Sequence, residues 1–149
     1  MNADTISPPP EAQPKTVSHI LGEITWLISQ SPLHKNLFVC DLEWFVMPAI
    51  LLEQFRLYPG PNGQPAGLII WASVSDEVQA RLENNQPRLA PQDWQSGSNL
   101  WLIEMIAPFG GQEEMLSEAA ATIFHGRPFK YQIAGSNGVE VVIHNPTVN

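Results

Sequence analysis

Cys40 is the only cysteine in the chain. One thiol excludes an internal disulfide framework and leaves no thiolate set for a structural zinc. Basic residues are also scarce, with 7 Lys and Arg against 15 Asp and Glu and a formal net charge of −8. A polyphosphate backbone would be repelled, so nucleic acid is excluded as the expected partner. A membrane-crossing helix needs roughly 20 consecutive apolar residues. Pro48 and charged side chains interrupt the richest apolar run, so stable membrane insertion is not expected. The first residues lack the basic-then-apolar order of a secretory signal. Together with the lone thiol, this points to a reducing, cytoplasmic setting. No Gly-x-Ser-x-Gly elbow is present to carry a serine nucleophile.

What is present is enough for a core. At 149 residues, 44% of them hydrophobic, the chain fits one domain. Residues 1–15 carry Pro8-Pro9-Pro10 and Pro14 and read as a disordered leader, leaving residues 16–149 as the folded domain. Val17, Ile20, Leu21, Ile24, Leu27 and Ile28 follow helical spacing, with Thr16 or Ser18 as the cap and Pro32 as the stop. Asp41 is placed to cap a second helix over residues 42–52, which Pro48 should kink or split. Residues 54–58 and 66–74 read as strands joined by a connection dense in Pro, Gly and Asn, hence a hairpin. Residues 75–84 read as a short helix with Val78 and Leu82 inward, and residues 85–98 as loop. Met115, Leu116, Ala119, Ala120, Ile123 and Phe124 form another helical stripe. Residues 129–133 and 139–143 read as strands around Gly135-Ser136-Asn137-Gly138, a second hairpin signal. The sum is an α+β fold with a mixed, mostly antiparallel sheet flanked by helices.

The centre of this pattern is residues 99–111. Leu100 to Ala107 is apolar except for Glu104, and Pro108 and Gly110-Gly111 then break the run. A run this short and this apolar reads as a strand buried on both faces. A lone carboxylate there costs several kcal/mol unless it is paired, neutral or at an open end of the sheet. Its candidate partner is His34, just past the end of the first helix.

Other residues keep two readings each. Ser31 either fixes His34 or meets a substrate oxygen, or else ends the helix, as Ser-Pro often does. Gly110-Gly111 opens a helix whose free N–H groups suit a phosphate, or is a plain turn; Glu113 and Glu114 in the first turn oppose an anion. Trp26, Trp44, Trp71 and Trp101 read as core, or with Met47 and Leu51 as an acyl groove. Asp93-Trp94 and Ser96-Gly97 read as a structural turn with Trp94 in the core. Cys40 reads as a small buried hydrophobe. His19, His125 and His144 show no metal spacing.

Several motifs recur in a known order. Leu21-Gly22-Glu23-Ile24-Thr25-Trp26-Leu27 and Ser31-Pro32-Leu33-His34 come first. Met47-Pro48-Ala49-Ile50, Trp71-Ala72-Ser73, Asp93-Trp94-Gln95-Ser96-Gly97 and Ile106-Ala107-Pro108-Phe109-Gly110 follow, and His125-Gly126 closes the series. In this order and spacing they resemble the RTX toxin-activating lysine acyltransferases, the hemolysin-activating family. The resemblance implies a fold related to the GCN5-type N-acetyltransferases. It implies transfer of a fatty acyl chain from acyl carrier protein, as a phosphopantetheine thioester, to the lysine ε-amine of an RTX protoxin. That chemistry is cytoplasmic, needs no tightly bound cofactor, and allows a homodimer.

The family's active histidine falls on His34 and its aspartate on Glu104, one methylene longer here. His34 would then be the general base. Glu104 would orient it, hold its imidazolium or bind the acceptor ammonium. Ser31 would assist His34 or the thioester oxygen. Gly110, Gly111 and, through its backbone, Gly126 would contact the donor. Acyl carrier proteins are acidic, as this chain is, so Lys35, Arg56, Arg127 or Lys130 would have to supply a local basic patch. Two other functions fit the same residues. One is a non-catalytic homologue that binds acyl carrier protein or toxin; the other is a GCN5-like small-amine acyltransferase using acyl-coenzyme A.

Overall fold

Thr16 starts the first helix, α1 (Val17–Gln30), by accepting a hydrogen bond from the His19 N–H at 3.1 Å. Ile24, Leu27 and Ile28 form its buried stripe. Ser31 ends it in extended backbone, with Pro32 unable to continue the helical ladder. The structure, a computed structural model, describes residues 14–135 and 138–145. All but the last two positions of the Pro-rich leader, together with Ser136 and Asn137 of the second turn, lie outside the described residues.

Pro48 splits the second helical segment. It lacks an N–H and would clash with the carbonyl four residues back, so α2 (Leu42–Phe45) stops and α3 (Met47–Leu51) restarts with Pro48 in its first turn. Asp41 stands at the N-cap of α2, but its carboxylate accepts from the Phe38 N–H and the Trp44 indole instead of from a backbone N–H of the helix.

Strands β1 (Phe55–Pro59) and β2 (Pro65–Val74) form the expected hairpin. α4 (Asp76–Glu83) follows, capped by Ser75, with Val78 and Leu82 buried. β3 (Asn99–Ile106), α5 (Gln112–Thr122) and β4 (Phe129–Gly135) make a strand–helix–strand crossover, and β5 (Gly138–His144) pairs back on β4. Ile123 and Phe124 lie just beyond the end of α5.

The sheet runs β1-β2-β3-β4-β5, antiparallel except for β3 and β4. This α+β, five-stranded mixed sheet with flanking helices is compatible with the GCN5-type acetyltransferase-like architecture. One face carries α1, α3 and α4 over Leu68, Ile70, Ala72 and Trp101; the other carries α5 over Ile69, Leu102 and Phe129. β3 is the middle strand, yet Ile103, Glu104 and Met105 are only half-buried. The double burial expected there fails because a cleft opens beside them.

Some aromatic and thiol expectations are corrected. Trp94 and Trp101 are core, at 1% exposure each, but Trp26 is 38% exposed and tilts against the exposed Phe109 ring 6.0 Å away. Trp44 and Trp71 are half-buried. Cys40 is exposed, because the 3₁₀ turn at Val39–Asp41 turns it outward. A polar residue holds the turn motif in place. Buried Gln54 donates from Nε2 to the carbonyls of Trp71 at 2.9 Å and Trp94 at 3.2 Å, tying the start of β1 to β2 and to the loop before β3.

Candidate active site

His34 is held twice by Ser31. Its backbone N–H donates to the Ser31 carbonyl at 3.0 Å, and its Nδ1 lies 2.6 Å from Ser31 Oγ. The end of α1 thus sets both the position and the ring orientation of the histidine. On its other side Nε2 lies 3.1 Å from Glu104 Oε1, which also accepts from the Met105 N–H at 3.1 Å. Ser31 is buried, while the His34 and Glu104 side chains keep 13% and 28% of their surface exposed. The chain of contacts therefore runs from a sealed hydroxyl through an imidazole to a carboxylate that solvent can reach.

A bulge brings Glu104 to this face. Ile70 pairs with Glu104 but the next residue, Trp71, pairs with Leu102, so Ile103 is an extra residue in β3. Before the bulge, Trp101 points toward the α1 side and Leu102 toward α5. Strict alternation would send Glu104 toward α5 as well. The extra residue turns it to the side of Ile70, where the turn after α1 carries His34.

The cleft has a simple origin too. β3 and β4 pair in register at Trp101 and Lys130 and then part, as parallel strands can when neither sheet edge nor turn holds them together. The gap beyond, about 460 Å³, has His34 and Glu104 on its wall. Leu33, Leu102, Met105, Leu116, Tyr131 and Ile133 give it an apolar lining. The acyl groove expected from Trp26, Trp44, Trp71, Trp101, Met47 and Leu51 is not this one: none of those residues lines it.

The glycines fall in two places. Gly110 and Gly111 form the turn from β3 into α5 with φ of +93° and +87°, and Gly111 is the N-cap. Neither lines the cleft, although Gln112 and Glu113 immediately after them do. Gly126 lines a separate cavity of about 410 Å³ together with His144. Glu113 and Leu116 border both cavities.

Arg56, Arg127 and Lys130 do not meet at the cleft, whereas Lys35 is exposed immediately after His34. Arg56 pairs with Glu118 at 2.6 Å and Lys130 with Glu83 at 2.8 Å, and among the described residues no Lys or Arg lines the cleft. Arg127 and Lys130 border a different cavity, at the paired end of β3 and β4.

Hydrogen-bond balance orders the protons. The buried Ser31 hydroxyl has His34 as its hydrogen-bond partner among the described residues, so O–H donates to Nδ1 and Nε2–H donates to Glu104. Transfer of one proton from Nε2 to Nδ1 gives the other neutral form. Ser31 Oγ then accepts, and an Nε2 lone pair faces the carboxylate. Lone pair and carboxylate together can receive a cationic amine and take its proton.

The profile of the RTX toxin acyltransferase family matches residues 13–146 of this sequence. The chain belongs to that family. Among individual relatives, it is 32% identical over 108 residues to the lysine-acyltransferase RtxC of Vibrio cholerae serotype O1, covering 72% of this chain and 71% of RtxC. It is 38% identical over 92 residues to the RTX-II toxin-activating lysine-acyltransferase ApxIIC of Actinobacillus pleuropneumoniae, 62% of this chain and 57% of ApxIIC. It is 40% identical over 91 residues to the protein-lysine myristoyltransferase HlyC of Escherichia coli, 61% of this chain and 52% of HlyC. The aligned stretch thus spans little more than half of ApxIIC and HlyC. No helix among the described residues of this acyltransferase-family chain is long and apolar enough to cross a membrane.

Sequence reasoning had no means of finding the cleft wall. Leu102, Tyr131 and Ile133 look like ordinary strand residues until the parallel pairing of β3 with β4 is known.

Proposed function

We propose that this chain is a protein-lysine fatty acyltransferase, with His34 as general base and Glu104 and Ser31 as its partners. The observation that carries the reading is the run of contacts Ser31–His34–Glu104, ending at an open apolar cleft. The donor is an acyl chain on the phosphopantetheine arm of acyl carrier protein, with no tightly bound cofactor. The acceptor is a lysine ε-amine of an RTX protoxin, and the setting is the cytoplasm. A homodimer remains part of the proposal, as does a single folded domain over residues 16–149 after a Pro-rich leader.

The chemistry follows from the two acceptors. A lysine is protonated near pH 7, so its ammonium docks on the Glu104 carboxylate beside the Nε2 lone pair. Nε2 takes one proton, and the neutral nitrogen attacks the thioester carbonyl carbon. The tetrahedral intermediate collapses with cleavage of the C–S bond. The imidazolium returns its proton to the departing sulfur, and the nitrogen loses its remaining extra proton to Glu104 and thence to water. Ser31 holds the ring and accepts from Nδ1–H while Nε2 works. The backbone at Gly110, Gly111 and Gly126 is assigned to the donor arm, whose route along α5 passes Glu113 and Leu116. The longer side chain at position 104 does not favour the non-catalytic alternative, since its oxygen already stands within hydrogen-bond reach of Nε2.

Co-expression with acyl carrier protein and a candidate protoxin, followed by intact-mass measurement, tests this. An acyl increment on the protoxin that disappears with His34→Ala is the expected result. An increment that survives His34→Ala removes the histidine from the mechanism; no increment with any protoxin removes the transferase.

A further inference from the structure

Half of the Leu21–Leu27 motif plays no part in the active site. Leu21, Ile24 and Leu27 face the core. Gly22, Glu23 and Trp26 face outward and, with His19 and Pro65, line a groove of about 430 Å³ between α1 and the turn joining β1 to β2. A glycine inside a helix is destabilising, yet a Cβ at Gly22 would meet nothing within 4 Å, so the bare position serves the depth of the groove. Glu23 is the one carboxylate among the lining residues. Lys15 Nζ lies 2.8 Å and His19 Nε2 3.2 Å from its Oε1. Neither is aligned as a hydrogen bond, so among the described residues this buried oxygen keeps an unmet acceptor. Trp26, one turn further along α1, is exposed and tilts against Phe109. A shielded acid near an aromatic ring suits an ammonium, and this acid already holds one from the chain's own Lys15.

We propose that this groove is a lysine-binding site apart from His34, which takes a lysine-bearing segment of a partner protein and which Lys15 fills in its absence. The net charge of −8 favours a basic segment over an acidic one. Resting on the transferase reading, the partner is the acceptor protein, and the bound lysine is a neighbour of the one to be acylated. Phe109 supplies the connection. It stands against Trp26, and Gln112 and Glu113 just after it border the His34 cleft. A segment seated beside Trp26 is thereby next to the turn that leads to the cleft. The lysine site itself does not depend on turnover.

Nα-acetyl-lysine methylamide and its uncharged counterpart Nα-acetyl-norleucine methylamide are titrated into the full chain and its Lys15→Ala, Glu23→Gln and Gly22→Ala variants. The Trp26 indole and the residue 22 amide are followed by NMR, and thermal melts confirm that each variant folds. Lys15→Ala should bind the lysine probe about tenfold more tightly than the norleucine probe. In wild type, where Lys15 competes, the lysine curve should move to about threefold higher concentration. Glu23→Gln should erase the preference for lysine, and Gly22→Ala should weaken lysine binding while raising the melting temperature. Equal binding of the two probes to Lys15→Ala, or a lysine preference that survives Glu23→Gln, overturns the inference. Acylation is read separately. Glu23→Gln should raise KM for the protoxin about tenfold with kcat held, and an unmoved KM removes the acceptor segment from the groove. If no acyl increment ever forms while the lysine preference holds, the lysine site stands and the transferase reading falls.

Discussion

Glu104 Oε1 lies 3.1 Å from His34 Nε2 and also accepts from the Met105 N–H, so the carboxylate is fixed at both ends. Shortening the side chain by Glu104→Asp withdraws the carboxylate by about one carbon–carbon bond. Displacements near 1 Å in a catalytic group cost on the order of a hundredfold in rate. Glu104→Asp should therefore lower acyl transfer by about a hundredfold, even though the family resemblance implies an aspartate at this position. His34→Ala should lose on the order of a thousandfold, as befits a general base. Initial rates of acyl-lysine formation by mass spectrometry check both. Equal activity of wild type and Glu104→Asp would mean that the contact between the two side chains is incidental.

Ser31 touches the imidazole and not the cleft, so its removal should change the ring's protonation more than substrate binding. Ser31→Ala is expected to lower kcat about tenfold, the equivalent of one orienting hydrogen bond, with KM unmoved. The nitrogen-15 shifts of the His34 ring should move toward a mixture of tautomers. A fall in thermal stability without either change would reduce Ser31 to a helix end.

Gly97 and Gly22 should respond with opposite signs to the same substitution. A Cβ at Gly97 would stand 2.6 Å from the Ser75 Cα and the Val74 carbonyl oxygen, both backbone atoms that cannot step aside. Gly97→Ala should cost about 3 kcal/mol, at the upper end for overpacking. A Cβ at Gly22, inside α1, meets nothing within 4 Å, so Gly22→Ala should add about 0.5–1 kcal/mol through helix propensity. Urea midpoints of the two variants give the comparison directly.

The pH dependence of stability should carry the mark of Glu118. Its carboxyl is held below the usual carboxylate range chiefly by the hydrogen bond from the Tyr58 hydroxyl, helped by Thr122 and Arg56 and opposed by burial. The folded chain therefore binds that proton less tightly than the unfolded one. The contribution is present above the ordinary glutamate range and is lost as pH falls through the lowered folded value. Tyr58→Phe should cost about 1 kcal/mol at pH 7. The gap to wild type should narrow below about pH 4. A gap that stays constant to pH 3 would assign the loss to packing alone.

Much of the fold could be read from local signals because those signals are local in cause. Thr16, Ser75, Pro48 and the Pro- and Gly-rich connection after Tyr58 act within a turn of their own positions. The approach of His34 to Glu104 was also legible, since a lone charge in an apolar run needs a partner. What could not be read depends on long-range register. The bulge at Ile103 leaves no mark in composition, and the cleft exists because two parallel strands separate. Cys40 and Trp26 look like core by residue type, but Cys40 sits on a 3₁₀ turn and Trp26 on the exposed side of α1. Gln54 carried no sequence signal, although it bridges two carbonyls in the interior.

The extra residue at Ile103 makes the chemistry a matter of parity. A strand counts its side chains in twos, so Trp101 and Glu104, three positions apart, can share the α1 side of the sheet only because Ile103 is left over between them. Homologues that lack this one position should therefore keep both their architecture and their acid on a straighter strand, whereas a strand of unchanged length that loses the bulge must send either the acid or Trp101 to the opposite face.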